Sequence, residues 1–135
     1  MDINKTMKIA ASGMAAQGTR MRVIAENIAN AQSLPESPGG QPYRRKTVVF
    51  KNVLDRELGI STVRVSNIET DRSPPERRYD PTHPAADADG YVLAPNVNAL
   101  VEMMDLREAR RSYEANLRVM DTARRMLART LELLR

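Results

Sequence analysis

Apolar residues recur at alternating intervals of four and three at both ends of this chain. At the start they fall on Ile3, Met7, Ala10, Met14, Met21, Ile24, Ile28 and Ala31, with Gln17 the one polar member of the series. A seam of this kind, kept over about four heptads, predicts one long helix over residues 2–32. Gly13 and Gly18 interrupt it, each at a cost of roughly 1 kcal/mol of helix propensity against Ala. Residues 10–16 are rich in small side chains, so another helix backbone can come close. Pro35, Pro38 and Gly39-Gly40 end the pattern near Ser33.

The same spacing returns at Ala99, Met103, Leu106, Tyr113, Leu117, Met120, Leu127, Leu131 and Leu134, with Arg110 and Arg124 as the two exceptions. It predicts a second helix over residues 97–134. A flanking stripe runs through Ala109, Ser112, Asn116, Val119, Ala123, Met126, Thr130 and Leu133. Asn96 or Asn98 is placed to cap the start. Glu102, Asp105 and Glu108 come early and Arg124, Arg125, Arg129 and Arg135 late, an order that complements the helix dipole.

The middle of the chain reads differently. Residues 43–54 and 61–69 are rich in β-branched side chains and bounded by glycine and prolines, so they predict strands. Residues 71–96 hold five of the eight prolines and form a structured loop or hairpin, with Asp89-Gly90 before Tyr91-Val92 as a hairpin turn. The expected fold is mainly α with a small β-rich insert. Residues 1–34 plus 97–135 form a core domain of terminal helices paired as an antiparallel coiled coil. Residues 35–96 form a central β-hairpin and loop domain. Pairing the helices leaves the flanking stripe and the small-residue patch uncovered, which implies that other copies or other proteins cover them. The alternative is a monomer in which both helices pack onto the insert.

Composition sharpens this picture. The 135 residues include no cysteine, no tryptophan, one phenylalanine and four tyrosines. So few aromatic side chains leave little to fill a solitary core, and the absence of cysteine excludes disulfide staples and thiolate metal sites. No apolar run is long enough to span a membrane. Lys5 and Lys8 ahead of residues 9–16 imitate a signal peptide only crudely, because that stretch lacks the leucines of an apolar export segment. The formal charge of +4 is spread over both ends without a block of five like charges, so no polycationic tail is present to bind nucleic acid.

Candidate chemistry is sparse. His83 is the only histidine and stands in no recognisable relation to a nucleophile, so a backbone-bonded loop histidine is the simpler reading than a hydrolase centre. Asp80, Asp87 and Asp89 lack the spacing of a calcium loop and read as turn formers. Tyr43-Arg44-Arg45-Lys46 is a small basic patch, but strand alternation points at most two of its charges one way. The arginines of the last helix are nearly balanced by acids and read as a solvated or interhelical ion-paired face. Nothing calls for a cofactor, a metal or a catalytic site.

Ser12-Gly13-Met14-Ala15-Ala16-Gln17, followed by Ile24-Ala25-Glu26-Asn27-Ile28-Ala29-Asn30-Ala31, resembles the N-terminal signature of the flagellar rod and hook axial protein family. Pro42-Tyr43-Arg44-Arg45-Lys46, the loop Tyr79-Asp80-Pro81-Thr82-His83-Pro84, Gly90-Tyr91-Val92 and Arg111-Ser112-Tyr113-Glu114-Ala115-Asn116 narrow the likeness to proximal rod proteins of the C type. Gln32-Ser33-Leu34 departs from the Asn- and Thr-rich ending usual in the first motif, and Pro35-Glu36-Ser37-Pro38 adds proline to that turn.

The resemblance implies a non-catalytic structural subunit whose helices line an axial tube. It implies assembly with itself, with other rod proteins and with an export-gate adaptor, in a torque-transmitting shaft across the periplasm. Delivery would be unfolded, through the flagellar type III export apparatus and without a cleaved signal. The assembly interface is assigned to Ile3, Met7, Ala10, Met14, Met21, Ile24, Asn27, Ile28 and Asn30 of the first helix. On the last helix it takes Met103, Leu106, Tyr113, Asn116, Leu117, Met120, Ala123, Met126, Leu127, Leu131 and Leu134. Tyr79, Asp80, Pro81, His83 and Pro84 form the family loop. Asn27 and Asn30 are expected to bond to neighbouring backbone or polar side chains at a junction, since asparagine is unfavourable inside a helix; simple C-terminal capping is the alternative for Asn30. The competing function is a small basic module that binds nucleic acid or a cell-wall polymer.

Overall fold

The computed structural model describes residues 2–135. In chain order its elements are α1 (Ile3–Asn30), β1 (Lys46–Asp55), β2 (Ile60–Thr70), β3 (Glu76–Tyr79), β4 (Tyr91–Ala94) and α2 (Ala99–Leu133). Both helices lie within two residues of their expected limits. Asp2 caps α1 by accepting the N–H groups of Asn4 at 3.0 Å and Lys5 at 3.4 Å. Asn98, not Asn96, caps α2: its Oδ1 accepts the N–H groups of Leu100 and Val101 at 3.1 and 3.3 Å. Asn96 instead ties loops together, accepting from the Arg45 N–H and donating to the carbonyls of Asp71 and Ser73.

β1 and β2 form a two-stranded sheet. The connection over residues 56–59 is too short for a parallel crossover, so the pair is an antiparallel hairpin. Gly59 closes it at φ 64°, its N–H donating to the Asp55 carbonyl at 2.8 Å. β3 pairs antiparallel with β4, Glu76 opposite Ala94 through to Tyr79 opposite Tyr91. Asp89-Gly90 does turn the chain, with Gly90 at φ 84°. It closes the long loop over residues 80–90 that joins β3 to β4 as a hairpin. The strands cannot approach sooner because Pro81 and Pro84 supply no N–H to a ladder. The loop satisfies itself instead, Asp87 Oδ1 accepting the N–H groups of Asp89 and Tyr91.

The chain divides into two compact units. The first comprises the chain up to Met21, Val48–Asn67 and Arg107–Arg135. Here α1 lies between α2 and the hairpin. Ser12 Oγ accepts the Val63 N–H at 3.3 Å, and Lys8 reaches Asp55 at 2.5 Å. On the other side, a groove of about 600 Å³ is lined by Ile3 and Thr6 of α1 and by Val119, Ala123 and Met126 among others of α2. Further along, Gly13 sits against Asn116, and Arg20 lies 3.9 Å from Glu108. Partners on α2 therefore descend in number as those on α1 ascend.

In this unit α2 buries Ala109 and Ala123 and half-buries Tyr113, Asn116 and Met120. Arg110, Leu117, Arg124 and Leu127, all placed on the expected seam, are exposed. The seam is thus correct at Tyr113 and Met120 and displaced by one residue at its interleaved positions, which the flanking stripe supplies. Size explains the choice. A methyl group built on Gly13 would lie 2.9 Å from Asn116 Nδ2, so the helices touch where their side chains are smallest. Small side chains bury little area, at about 0.8 kcal/mol per CH₂-sized group, and this packing is correspondingly modest in strength.

The second unit comprises Arg22–Thr47 and Ile68–Leu106. Its apolar interior is Val23, Ile24, Ala31, Ala85, Val92 and Ala94. Two polar side chains, Asn27 and Glu102, are buried with them.

Candidate assembly site

Burying Asn27 and Glu102 requires that their polar atoms be matched, and they are. Asn27, with 0% of its surface exposed, uses its amide completely. Its Nδ2 donates to the Lys46 carbonyl at 2.8 Å and to Glu102 Oε2 at 3.2 Å. Its Oδ1 accepts from the Tyr43 hydroxyl at 2.8 Å and the Lys46 N–H at 2.9 Å. Glu102, 1% exposed, receives Arg45 Nε on its other oxygen. The Arg45 guanidinium also faces Asp105 at 3.5 Å and Asp71 at 3.8 Å. Burial works against the charge on Arg45, yet the Glu102 hydrogen bond and the three carboxylates raise its pKa. Burial raises that of Tyr43, helped by the charges of Glu26 and Glu102.

The asparagine junction expected at Asn27 is therefore present. Asn30 bonds to neighbouring backbone only: its Nδ2 donates to the Glu26 carbonyl within its own helix at 2.9 Å. Nor is it a left-handed cap, since among the described residues only glycines have positive φ. The basic patch is also closed. Arg45 is bound to carboxylates, and Lys46 pairs with Glu26 at 2.5 Å, so two of its three cations are neutralised. Sequence reasoning missed the Arg45–Glu102 pair. Its signal was a single acid, Glu102, within the otherwise apolar run Ala99–Met104 at the start of a helix.

The family loop is built around its own backbone. Asp80 Oδ1 accepts from the Thr82 N–H and hydroxyl, and His83 Nδ1 accepts the Ala85 N–H at 3.0 Å. Tyr79 meets Tyr91 edge to face with ring centroids 5.3 Å apart, and the Arg77 guanidinium lies 4.3 Å from the Tyr91 centroid. A side chain at Gly90 would lie 3.0 Å from Tyr79 and 3.1 Å from Pro81, which fixes glycine there twice, by contact and by φ. Pro84 lies exposed in the same loop. No group of three or more histidine or acidic side chains able to hold a metal occurs among the described residues.

The residues assigned to assembly separate into three sets. Ala10, Ile24, Asn27 and Ala123 are buried within the chain's own fold. Ile3, Met7, Met14, Met21, Ile28, Asn30, Leu106, Tyr113, Asn116 and Met120 are half-buried. Met103, Leu117, Met126, Leu127, Leu131 and Leu134 stand exposed, Met103 at 59%, Leu131 at 58% and Leu134 at 78%. Long apolar side chains so open on one helix mark a surface that contacts something else.

Both helices match known sequence families. Residues 7–32 match the family described as flagella basal body rod protein, and residues 88–133 match the C-terminal family of flagellar basal body rod FlgEFG proteins. The flagellar basal-body rod protein FlgC of Agrobacterium fabrum is 49% identical over 133 residues, covering 98% of this chain and 96% of the relative. The chain belongs to the FlgC family of flagellar basal-body rod proteins. FlgC of Salmonella typhimurium is 44% identical over 127 residues, with 93% and 92% coverage. FlgC of Borreliella burgdorferi is 38% identical over 152 residues, with 99% coverage of each. As a FlgC protein it is a structural rod subunit of the basal body and not an enzyme. The rod-family signature around Asn27 coincides with the buried junction, where it joins a helix to a loop.

Proposed function

We propose that this FlgC protein is a subunit of the proximal rod, assembling helically with itself and with other rod proteins into the shaft that transmits torque and encloses the export channel. In this reading the terminal helices act as an antiparallel coiled-coil core, and residues 35–96 form the insert outside it. The subunit is exported unfolded by the flagellar type III apparatus, without a cleaved signal, and meets an export-gate adaptor in the periplasm. The observation that supports this is the open apolar face of α2, from Leu117 to Leu134. In the first unit the helices pack on one another through alanine, glycine and asparagine contacts. A subunit of that kind gains order as it assembles.

The test is Leu127→Asp, at a site that is partly exposed, beside Ile28→Asp. Each places an unpaired charge where packing is expected. Soft-agar swimming should be abolished while the subunit is still made and exported. Normal swimming by both variants would overturn the interface assignment.

A further inference from the structure

The β1–β2 hairpin belongs to the first unit from Val48 to Asn67. Successive side chains of a strand point to opposite faces, so Asp55, which turns to Lys8 of α1, shares its face with Val49 and Val53. Those two valines are half-buried. Phe50, the one phenylalanine of the chain, and Leu54 lie on the opposite face and are exposed, Leu54 at 61%. The docked side thus covers valines and leaves the larger apolar side chains outside, the reverse of what burial favours.

The docked side is also incompletely filled. An open groove of about 330 Å³ separates α1 from β2. Small residues of the helix line it, Ser12, Ala15, Ala16 and Thr19, opposite Val63, Arg64 and Val65 of the strand. Ala15 and Arg64 are exposed there. A gap of this kind forfeits dispersion contacts on both walls. The polar contacts across it are slight. Lys8 meets Asp55 at 2.5 Å with 51% of the lysine side chain exposed, and such surface pairs contribute little. Ser12 Oγ accepts the Val63 N–H at 3.3 Å, longer than the usual range.

The base of the same hairpin is held differently. The Asp71 N–H donates to the Arg45 carbonyl at 2.8 Å, and the Arg45 N–H donates to Asn96 Oδ1 at 2.8 Å. Arg45 also carries its three carboxylates there. A two-stranded hairpin is marginal by itself in water, and an element with few buried contacts is the first to open. The tip has the weak contacts and the base has the strong ones.

We propose that residues 48–67 form a movable arm that rests on α1 in the free subunit and leaves it on assembly, pivoting at the Arg45–Asp71 pair; the proposal rests on the rod-subunit reading. The chain has no cysteine of its own, so an engineered disulfide can lock the arm. Ser12→Cys with Val63→Cys joins two groove residues that already touch, within reach of a disulfide. In the purified chain, copper phenanthroline should close this bond, and failure to close would overturn the docked state. In cells, the exported double variant should be oxidised on non-reducing immunoblots and should not spread in soft agar. Dithiothreitol in the agar should restore spreading, and each single variant should swim normally. Lys8→Ala, which removes the ion pair and leaves the arm free to move, should also swim normally. Normal spreading of the oxidised double variant, or rings that stay small with dithiothreitol, would overturn the proposal. A deletion strain that still swims would refute the rod-subunit reading itself, a result separable from either of these.

Discussion

Glu102→Gln changes one atom in the buried cluster and should be costly. The two carboxylate oxygens of Glu102 each face a donor, Arg45 Nε on one side and Asn27 Nδ2 on the other. An amide of the same shape offers one acceptor and one donor. In either orientation its NH₂ group therefore opposes an N–H that it cannot accept. Hydrogen bonds to charged groups contribute about 1.5–3 kcal/mol. Asn27 Nδ2 keeps the Lys46 carbonyl, and Arg45 keeps Asp105 and Asp71. Those remaining partners place the expected loss near the middle of that range, at about 2 kcal/mol. Glu102→Ala also leaves the guanidinium without its closest anion and opens a hole, which raises the loss to about 3–4 kcal/mol.

The assay is urea unfolding followed by far-UV circular dichroism, with trimethylamine N-oxide present to favour the folded chain. With slopes of about 1–3 kcal/mol per molar urea, the midpoint for Glu102→Gln should fall by about 1 M. A double-mutant cycle with Asn27→Ala should show coupling of at least about 0.5 kcal/mol. If Glu102→Gln unfolds within about 0.5 kcal/mol of the parent, the carboxylate does not hold these elements together.

Two glycines of α1 should respond differently to the same change. Gly18→Ala meets nothing within 4 Å and should stabilise by up to about 1 kcal/mol; Gly13→Ala must push Asn116 from the Ser112 carbonyl and should show none of that gain. Equal midpoints for the two in urea would contradict the close helix approach. Asn98→Ala removes the cap on two N–H groups of α2 and should cost about 1 kcal/mol, read as a lower thermal midpoint, whereas Asn96→Ala should instead loosen the loops that it ties. Asp71 is held below the ordinary 3.8 by the Ser73 hydroxyl and N–H, and Asp87 by the Tyr91 N–H, burial opposing in both. A depressed folded pKa contributes stability above 3.8 that disappears as pH falls through the folded value. The urea midpoint should therefore drop on acidification below 3.8, and a midpoint that holds or rises there would count against these bonds.

Local chemistry decided much of this molecule in advance. Two sustained heptad patterns, stopped by prolines and opened by capping residues, place α1 and α2 within two residues of where they lie. Asn27 announced itself as a polar residue inside an apolar pattern. Asp80, Asp87 and His83 behave as their loop composition dictates. The helix limits and the loop turns were legible because they depend on contacts between near neighbours in the chain; for Asn27 only the need for partners was legible, since Tyr43, Lys46 and Glu102 lie far from it in sequence.

What the sequence could not determine was which side of α2 faces inward. Apolar residues surround much of its circumference, and the heptad through Met103, Leu117 and Leu127 is more hydrophobic than the one through Glu102, Ala109, Asn116 and Ala123. Hydrophobicity alone favours the former. The fold chose the latter because Gly13 and its small neighbours on α1 accept only a helix that can come close. Glu102 could be buried there only because Arg45 and Asn27, far away in sequence, bring it the donors that its burial requires. Hydrophobic period is a property of one segment, whereas side-chain size and polar matching are properties of two segments at once. The tertiary structure supplied the second segment, and large side chains such as Leu117 and Leu127 were thereby turned outward.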